Sequence, residues 1–215
     1  MNMKLVFSIA LFITLQISIY AQHNDPESDF SVVRNNNGNS VIIIKYTGTK
    51  QEVIIPSQYH GLPVTIIGAD AFRGKNLTSI VIPDSVTSIE ARAFYNNQLT
   101  NVSIPHSIKT IEIGSFSSNQ LTSIDIPESV RTIGIRAFYD NQLTNVIIPN
   151  NVRNIGVGAF SKNQLTSITI GANVELREAF DYGFSELYRQ ARQRAGNYVF
   201  RNGSWSEEWQ DISKQ

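Results

Sequence analysis

One stretch of the sequence, residues 77–98, is repeated every 22 residues, without insertion or deletion, as far as residue 170. A leucine and a phenylalanine mark every copy. They are Leu77, Leu99, Leu121, Leu143 and Leu165, and Phe72, Phe94, Phe116, Phe138 and Phe160. A fixed period in the low twenties is typical of a solenoid, in which each coil packs only on its neighbours. The repeat therefore predicts an elongated array of coils.

The charge of the chain is balanced, with 18 lysines and arginines against 18 aspartates and glutamates. A nucleic-acid-binding protein needs a concentrated basic surface to neutralise phosphates, so the composition argues against nucleic acid as a partner. No cysteine is present in the sequence. Disulfides and thiolate metal sites are therefore excluded, and the array must be stabilised by packing between coils and by caps at its two ends.

Residues 1–21 have the pattern of a secretory signal peptide. Lys4 precedes an apolar run over residues 5–20, and the small Ala21 precedes polar sequence. The run of about 16 residues is shorter than the roughly 20 that a membrane span needs. We therefore predict cleavage after Ala21 rather than a membrane anchor. The mature chain would have no membrane span and would be exported, either secreted or held at the cell surface, with the periplasm as the alternative destination.

Each regular coil contains a short alternating segment that predicts a β-strand. Val102 and Ile104 are apolar and should face the core, whereas Asn101 and Ser103 should face outward. Pro105 has no amide hydrogen to donate, so it ends the strand. Neighbouring coils would align these strands in a parallel sheet with rungs about 4.8 Å apart. A second short extended segment precedes the turn that carries the phenylalanine.

An asparagine recurs at the turn back into the next strand. A buried asparagine amide can bond the backbone of its own coil and of the neighbouring coil, so we assign this column to structure, together with the stacked phenylalanines. The structural positions are Asn97, Asn119, Asn141 and Asn163, and Phe94, Phe116, Phe138 and Phe160.

The sequence before the regular coils predicts an N-terminal cap. Residues 22–52 contain a polar leader and two apolar runs, 30–33 and 41–46, on either side of an asparagine-rich turn. That pattern predicts a β-hairpin, which would close a sheet edge that otherwise invites aggregation. The solenoid itself would then occupy residues 53–170.

The sequence after the regular coils predicts a C-terminal cap over residues 171–215. Apolar residues between positions 175 and 195 lie mostly at helical spacing, which predicts an amphipathic helix over 175–195 that ends at Gly196. Asn202 and Gly203 are then the strongest short turn signal for a hairpin. The expected architecture is a mainly β solenoid of short parallel strands, with a hairpin at one end and a helix plus hairpin at the other.

The repeat at residues 121–141, LTSIDIPESVRTIGIRAFYDN, resembles the bacterial leucine-rich repeats of the BspA-like kind, which occur in surface and secreted proteins of treponemes and other host-associated microbes. The resemblance covers about residues 53–170 and implies a leucine-rich-repeat solenoid. It also implies a binding function, with adhesion to host extracellular-matrix proteins or to other bacteria as the usual proposal. Such repeats often carry cysteine three residues after the phenylalanine, where this chain has asparagine or, in the first coil, Lys75.

Two outward-facing sets of side chains are candidate partner-binding sites, and either set could instead be ordinary solvated surface. The outward positions of the predicted parallel sheet are small, mostly uncharged and flat, which suits a protein surface or an extended polymer. They are Ser79, Val81, Asn101, Ser103, Ser123, Asp125, Asn145, Ile147, Ser167 and Thr169. The second set is a basic column that would engage an anionic partner, because its like charges repel unless acids relieve them. It consists of Lys109, Arg131 and Arg153.

The sequence contains no recognisable catalytic, metal-binding or cofactor-binding motif. One stacked column, Asp84, His106, Glu128 and Asn150, could support acid–base chemistry, although a solvated turn explains it as well. We therefore predict a non-enzymatic protein-binding module, an adhesin, that uses no cofactor or metal. The alternatives are a self-associating structural protein of the envelope and, less favoured, a glycan-acting enzyme around Glu128. The sequence does not indicate an oligomeric state.

Overall fold

A computed structural model describes residues 25–181, 183–191, 194–202 and 204–208. Within these residues the repeats form a mainly β solenoid, as the sequence predicts. Each coil runs from its leucine through a first extended segment to the proline, and then through a second extended segment to the turn that carries the phenylalanine. The predicted signal peptide, residues 1–21, lies outside the described residues.

The predicted N-terminal hairpin is confirmed. A 3-10 helix, Glu27–Asp29, leads into β1 (Phe30–Arg34), which pairs antiparallel with β2 (Val41–Tyr46). Strand β2 pairs in parallel with β5 (Leu62–Ile67), so the hairpin continues the hydrogen bonding of the first coil. The short strand β4 (Gln58–Tyr59) folds back antiparallel on β5. The hairpin thus covers the end of the stack.

The first extended segments pair only at the two ends of the array. Near the N-terminus, β3 (Glu52–Ile54) pairs in parallel with β6 (Ser79–Val81). Near the C-terminus, β10 (Asn145–Ile148) pairs in parallel with β12 (Ser167–Ile170). In the two coils between them, the equivalent segments are extended but form no strand.

The predicted continuous parallel sheet is therefore wrong in these middle coils, although the alternation of inward and outward side chains is confirmed. Val102 and Ile104 are buried there while Ser103 is exposed. The backbones separate locally along these segments, although the coils remain hydrogen-bonded just before them, where the amide of Gln120 lies 3.0 Å from the carbonyl oxygen of Leu99. The amide of Thr122 lies 3.4 Å from the carbonyl oxygen of Thr100, whereas the equivalent bond from Thr166 to Thr144 measures 2.8 Å.

The second extended segments form the longer ladder. Strand β5 pairs in parallel with β7 (Ser88–Ile89). A four-stranded parallel sheet then runs through two-residue strands, in the order β8 (Thr110–Ile111), β9 (Thr132–Ile133), β11 (Asn154–Ile155) and β13 (Glu175–Leu176). Gly134 and Gly156 follow two of these strands at positions where a side chain would meet the backbone of the preceding coil. A Cβ atom at Gly156 would lie 2.6 Å from the amide nitrogen of Ile135.

The helix predicted over residues 175–195 is wrong over most of its length. Strand β13 occupies its start, and α1 covers only Phe184–Gln190. The ring of Phe180 stacks on that of Phe160 at a centroid distance of 5.0 Å, so one further coil follows residue 170. The spacing of Leu176 and Phe180 fits a helix as well as a slightly shortened coil. Packing on the preceding coil decides between the two, because local propensity is weaker than burial of an apolar face.

The predicted C-terminal hairpin is confirmed. Strand β14 (Gly196–Arg201) pairs antiparallel with β15 (Ser204–Glu208), and Asn202 between them has a φ of 52°. Gly203 lies outside the described residues. Strand β14 also pairs antiparallel with β12, which is the strand of the last regular coil, so the hairpin covers that end of the array. Among the described residues, no helix is long and apolar enough to cross a membrane.

Within the core, which also contains the buried leucines, isoleucines and valines of the coils, one column of aromatic rings runs the length of the array. Successive rings have centroid distances between 5.0 and 5.7 Å and are nearly parallel. The column, called here the phenylalanine column, comprises Tyr46, Phe72, Phe94, Phe116, Phe138, Phe160 and Phe180. Phe30 closes one end, and Phe184 closes the other in an edge-to-face contact at 4.8 Å. These two rings meet the column edge to face rather than stacked, and each lies at an end of the array.

Candidate binding surfaces

Buried asparagine amides fix the spacing between coils and so position every outward side chain. The side-chain nitrogen of Asn97 donates to the carbonyl oxygens of Phe94, at 3.0 Å, and of Phe72 in the preceding coil, at 2.8 Å. Its side-chain oxygen accepts the amide of Leu77 at 3.0 Å. This pattern, the asparagine ladder, recurs at Asn119, Asn141 and Asn163. Buried polar groups are costly to leave unpaired, so the ladder makes the backbone of each coil a rigid support.

The outward side chains of the first extended segments lie in one row per coil on one side of the solenoid. Nine of these ten predicted positions are exposed, and Ser167 is half-buried. They form the strand face, which comprises Ser79, Val81, Asn101, Ser103, Ser123, Asp125, Asn145, Ile147, Ser167 and Thr169. The C-terminal hairpin reaches one end of this face, where the hydroxyls of Ser167 and Thr169 donate to the side-chain oxygen of Asn197 at 3.1 and 3.2 Å.

The sequence predicts a flat strand face, whereas the structure has a groove in it. Two depressions of about 700 and 550 Å³ adjoin along the coils and share the residues around Ile147. The first begins at Asn101, and the second ends against the C-terminal hairpin at Asn197 and Glu207. Ile147 stands where the two meet and is 64% exposed, the highest value among the large apolar residues that are exposed.

The charges that line the groove are carboxylates. They belong to Asp125, Glu128 and Glu207, while His106 lies at the end remote from the hairpin. No lysine or arginine of the described residues lines the groove. In the part of the chain that the structure describes, none of the three carboxylates forms an ion pair.

The basic column is exposed on the turn that follows each proline. The guanidinium of Arg131 donates from Nη1 to the carbonyl oxygens of Glu128, at 2.8 Å, and Ser129, at 3.0 Å. Arg153 makes the equivalent bond to the carbonyl oxygen of Asn150 at 2.8 Å. Within the described ranges, neither arginine nor Lys109 forms an ion pair with a carboxylate. The turn carbonyls hold the two guanidiniums in place and leave their other N–H groups for solvent or a partner.

The column that could support acid–base chemistry lies on the same exposed turns. Asp84, His106, Glu128 and Asn150 are all exposed. A carboxylate oxygen of Glu128 accepts a hydrogen bond from the side-chain nitrogen of Asn151 at 3.1 Å. No group of three histidine, aspartate or glutamate side chains in the described residues could hold a metal ion. The arrangement is that of a solvated turn.

An exposed apolar ridge is a feature that the sequence analysis missed. Ile113, Ile135 and Val157 occupy equivalent positions in three consecutive coils, and each is 45–47% exposed. They precede the positive-φ residues Gly114, Arg136 and Gly158 at the turn. The signal was present in the sequence as an apolar column at 22-residue spacing outside both extended segments. The sequence alone does not show which way the backbone turns at these positions, so apolar residues there cannot be told from core residues.

The stacked coils, with their buried leucines, asparagine ladder and aromatic column, define a leucine-rich-repeat solenoid. The chain belongs to the family described as the BspA type leucine rich repeat region, which matches residues 65–185 in six copies. Repeats of this type commonly bind proteins, which supports a protein-interaction module. The match extends past residue 170, in agreement with the additional coil at Phe180.

Two solved structures illustrate the similarity. The leucine-rich repeat protein of T. pallidum is 27% identical, with a TM-score of 0.67 over 79% of this chain and 95% of that chain. A leucine-rich repeat protein from Bacteroides ovatus is 29% identical, with a TM-score of 0.62 over 66% of this chain and 40% of that chain. Comparison with curated protein sequences gave no significant match.

Proposed function

We propose that this chain is an exported, non-enzymatic module that binds a protein partner through the strand face and acts as an adhesin. The partner would be a host extracellular-matrix protein or a surface protein of another bacterium. The observation that carries the proposal is the groove of the strand face, with Ile147 64% exposed at its middle. Protein interfaces combine apolar contacts at their centre with a polar rim, and the groove has Ile147 at its middle with polar side chains around it.

The rigidity of the scaffold supports this function. Binding loses free energy whenever side chains and loops must be ordered at the interface. The asparagine ladder and the phenylalanine column hold the coils before any partner arrives, so the strand face needs little rearrangement. A preorganised face of this kind suits recognition of a protein surface.

Export is supported by the sequence of residues 1–21, with a lysine, an apolar run and a small residue before polar sequence. Cleavage after Ala21 would release the chain from the membrane. Mass spectrometry of the protein recovered outside the cytoplasm tests this step, since it should show an N-terminus at Gln22. A chain recovered with Met1 intact would contradict export by cleavage.

The function is tested by binding of the purified chain to a panel of host matrix proteins and bacterial surface proteins. Saturable binding to a protein of the panel is expected, and it should be lost when Ser103→Tyr and Ile147→Arg fill the groove. A matched control is Thr87→Tyr with Val157→Arg, which places the same new side chains on exposed positions outside the groove. Binding that is unaffected by the first pair would place the site elsewhere, and an absence of binding would leave the adhesin proposal without support.

Self-association is the second candidate function, and the apolar ridge favours it. Three exposed apolar side chains in a row could pack on the same row of another copy. Light scattering distinguishes the candidates. A stable dimer that dissociates when Ile113, Ile135 and Val157 are changed to serine would favour self-association, whereas a monomer at all concentrations would leave the ridge as ordinary surface.

A further inference from the structure

We propose that the groove of the strand face binds an extended peptide segment with a lysine or arginine on each side of an apolar residue. This inference rests on the proposed function, because it names the chemistry of the partner at the same surface. It depends on the shape of the groove, on the position of Ile147, and on the sign and spacing of the charges.

The shape of the groove fits an extended chain. The groove crosses the rows that begin at Asn101 and end at the hairpin residue Asn197, which is five rows in all. At about 4.8 Å per row, its floor is roughly 19 Å long. An extended peptide advances about 3.3 Å per residue, so about six residues would fill it. The peptide would run across the strands, along the axis of the solenoid.

The middle of the groove needs an apolar contact. Ile147 is 64% exposed, and the side chains next to it on the strand face are small. Ser123 and Asp125 lie on the preceding coil, and Thr169 lies on the following one. Small neighbours leave space around the isoleucine, so an apolar side chain of the partner can remove it from water without displacing the scaffold.

The charges of the groove select a basic partner. Asp125 lies one coil before Ile147, and a side-chain oxygen of Glu207 lies beside Gly196 of the hairpin, in the second row beyond Ile147. Neither carboxylate has an ion-pair partner within the described residues, although the whole chain carries equal numbers of acidic and basic side chains. The neighbouring cation of Arg131 is directed to turn carbonyls instead. The acidic character is therefore a local property of the groove, and such complementarity selects partners and speeds their association.

The spacing of the carboxylates favours side chains of a polymer over a metal ion. A metal ion needs oxygen ligands that converge within about 2.6 Å of one point. No such group exists in the described part of the chain. Relative to Ile147, the carboxylate of Asp125 lies roughly 5 Å away along the groove, and that of Glu207 lies roughly 10 Å away in the opposite direction. In an extended peptide these distances correspond to about two and about three residues.

The test uses a fluorescent peptide of about ten residues, made of serine and glycine except at three positions. Leucine stands at its centre, with lysine about two residues before it and about three residues after it in one peptide, and with the order reversed in a second. Fluorescence anisotropy with the purified chain should show saturable binding of at least one of them. Replacing both lysines by glutamate should weaken binding by about tenfold or more, and replacing leucine by serine should weaken it as well.

The variants of the chain give the complementary measurement. Asp125→Asn with Glu207→Gln should weaken binding of the lysine peptide by about fivefold and reduce its dependence on salt. The matched control is Glu52→Gln with Asp84→Asn, which removes two exposed carboxylates that do not line the groove. This control should bind the peptide as the unchanged chain does. Circular dichroism should show the same fold for both, since all four carboxylates lie at or near the surface.

The outcomes separate this inference from the proposed function. Equal binding of the lysine and glutamate peptides, or unchanged binding by Asp125→Asn with Glu207→Gln, would overturn the inference. If a protein of the panel still bound and Ser103→Tyr with Ile147→Arg abolished that binding, the adhesin proposal would stand without it. If neither peptides nor panel proteins bound, both would fail.

Discussion

The side-chain nitrogen of Asn141 donates to the carbonyl oxygen of Phe116, 25 residues earlier in the chain, at 3.0 Å. The same amide also contacts the carbonyl oxygen of Phe138, at 3.2 Å, and its oxygen accepts the amide of Leu121, at 3.0 Å. One buried side chain therefore satisfies backbone groups of two coils at the turn, where backbone pairing alone leaves them unmatched. The coils stay in register because any slip would break several of these bonds at once.

Replacing Asn141 by leucine should lower the free energy of unfolding by about 3 kcal/mol. The substitution keeps the number and branching of the side-chain heavy atoms but leaves several buried backbone groups without a partner, each of which costs about 1–3 kcal/mol. Urea denaturation followed by circular dichroism measures the change. Gln142→Leu, at the exposed neighbouring position, is the matched control and should change stability by less than about 0.5 kcal/mol. Equal effects at the two positions would mean that the asparagine ladder does not hold the coils.

Truncating the phenylalanine column at its centre should have a comparably large effect. Phe116 is 1% exposed, and Phe116→Ala should cost about 3–5 kcal/mol because it removes a ring that stacks on both neighbours and leaves a cavity. Thermal unfolding should also broaden, since the two halves of a solenoid are coupled only through the coils between them. Ile135→Ala on the exposed ridge serves as control, with a change of about 0.5 kcal/mol or less. A small loss at Phe116 would contradict the continuous column.

Alkaline pH should destabilise the C-terminal cap through Tyr198. Burial, and secondarily the charge of Glu207, raise the pKa of Tyr198 to about 12. An unfolded tyrosine titrates near pH 10, so the folded state retains a proton that the unfolded state has released. The stability that this group contributes is complete below about pH 10 and is lost as the pH rises through about 12, by up to about 2 kcal/mol.

Urea denaturation of Tyr198→Phe measures this contribution. The variant loses the hydrogen bond from the hydroxyl to the carbonyl oxygen of Arg194 at every pH, but its stability should fall less steeply than that of the unchanged chain between about pH 10 and pH 12. Tyr95→Phe, at a half-buried position on a regular coil, controls for the loss of any one hydroxyl. Parallel pH profiles for Tyr198→Phe and the unchanged chain would contradict the prediction.

Hydrogen exchange should reveal the interruption of the first-segment sheet. Residues 101–104 and 123–126 are the first extended segments of the two middle coils, and they form no strand. The equivalent segments β10 and β12 pair with each other directly. Exchange protection follows the free energy of local opening, so the middle coils should exchange faster than β12. Mass spectrometry of peptic fragments would measure this difference. Uniform protection along all four segments would mean that the strands pair continuously in solution.

The basic column should control the salt dependence of any anionic partner. Changing Lys109, Arg131 and Arg153 together to serine should reduce the slope of affinity against salt, because fewer counterions are then displaced or screened. The fold should tolerate the change, since all three side chains are exposed. The matched control replaces Arg34, Lys45 and Arg201 by serine, three exposed cations on the two caps. An unchanged slope in the first variant would exclude the column as a contact.

The inward positions of the coils and both hairpins could be predicted from the sequence because they depend on local alternation and on exact repetition. Val102 and Ser103 take opposite sides in any extended segment, whatever the distance to the next coil. The error at residues 175–195 has a different origin, because Leu176 and Phe180 satisfy helical spacing and coil spacing alike. Packing on the preceding coil favours coil spacing, and this packing cannot be read from the local pattern of residues.

The groove could not be predicted because it depends on distances between coils. Ser123 and Asp125 were assigned correctly to the outward side, yet the sequence does not say that the rows separate enough to form a depression around Ile147. Glu207 lies far from these residues in sequence and reaches the groove only because β14 pairs with β12. Pairings between a cap and a coil leave no trace in a 22-residue repeat.

The asparagine ladder also bears on how such a protein can change over generations. Every rung makes the same bonds to the coil before it, so a tandem duplication or loss of one whole repeat would leave each remaining rung with a suitable partner and both caps undisturbed. An insertion of any other length would break the ladder at the point where it falls. The length of the strand face can therefore change only by whole coils, each about 4.8 Å, whereas its outward side chains can be substituted one at a time.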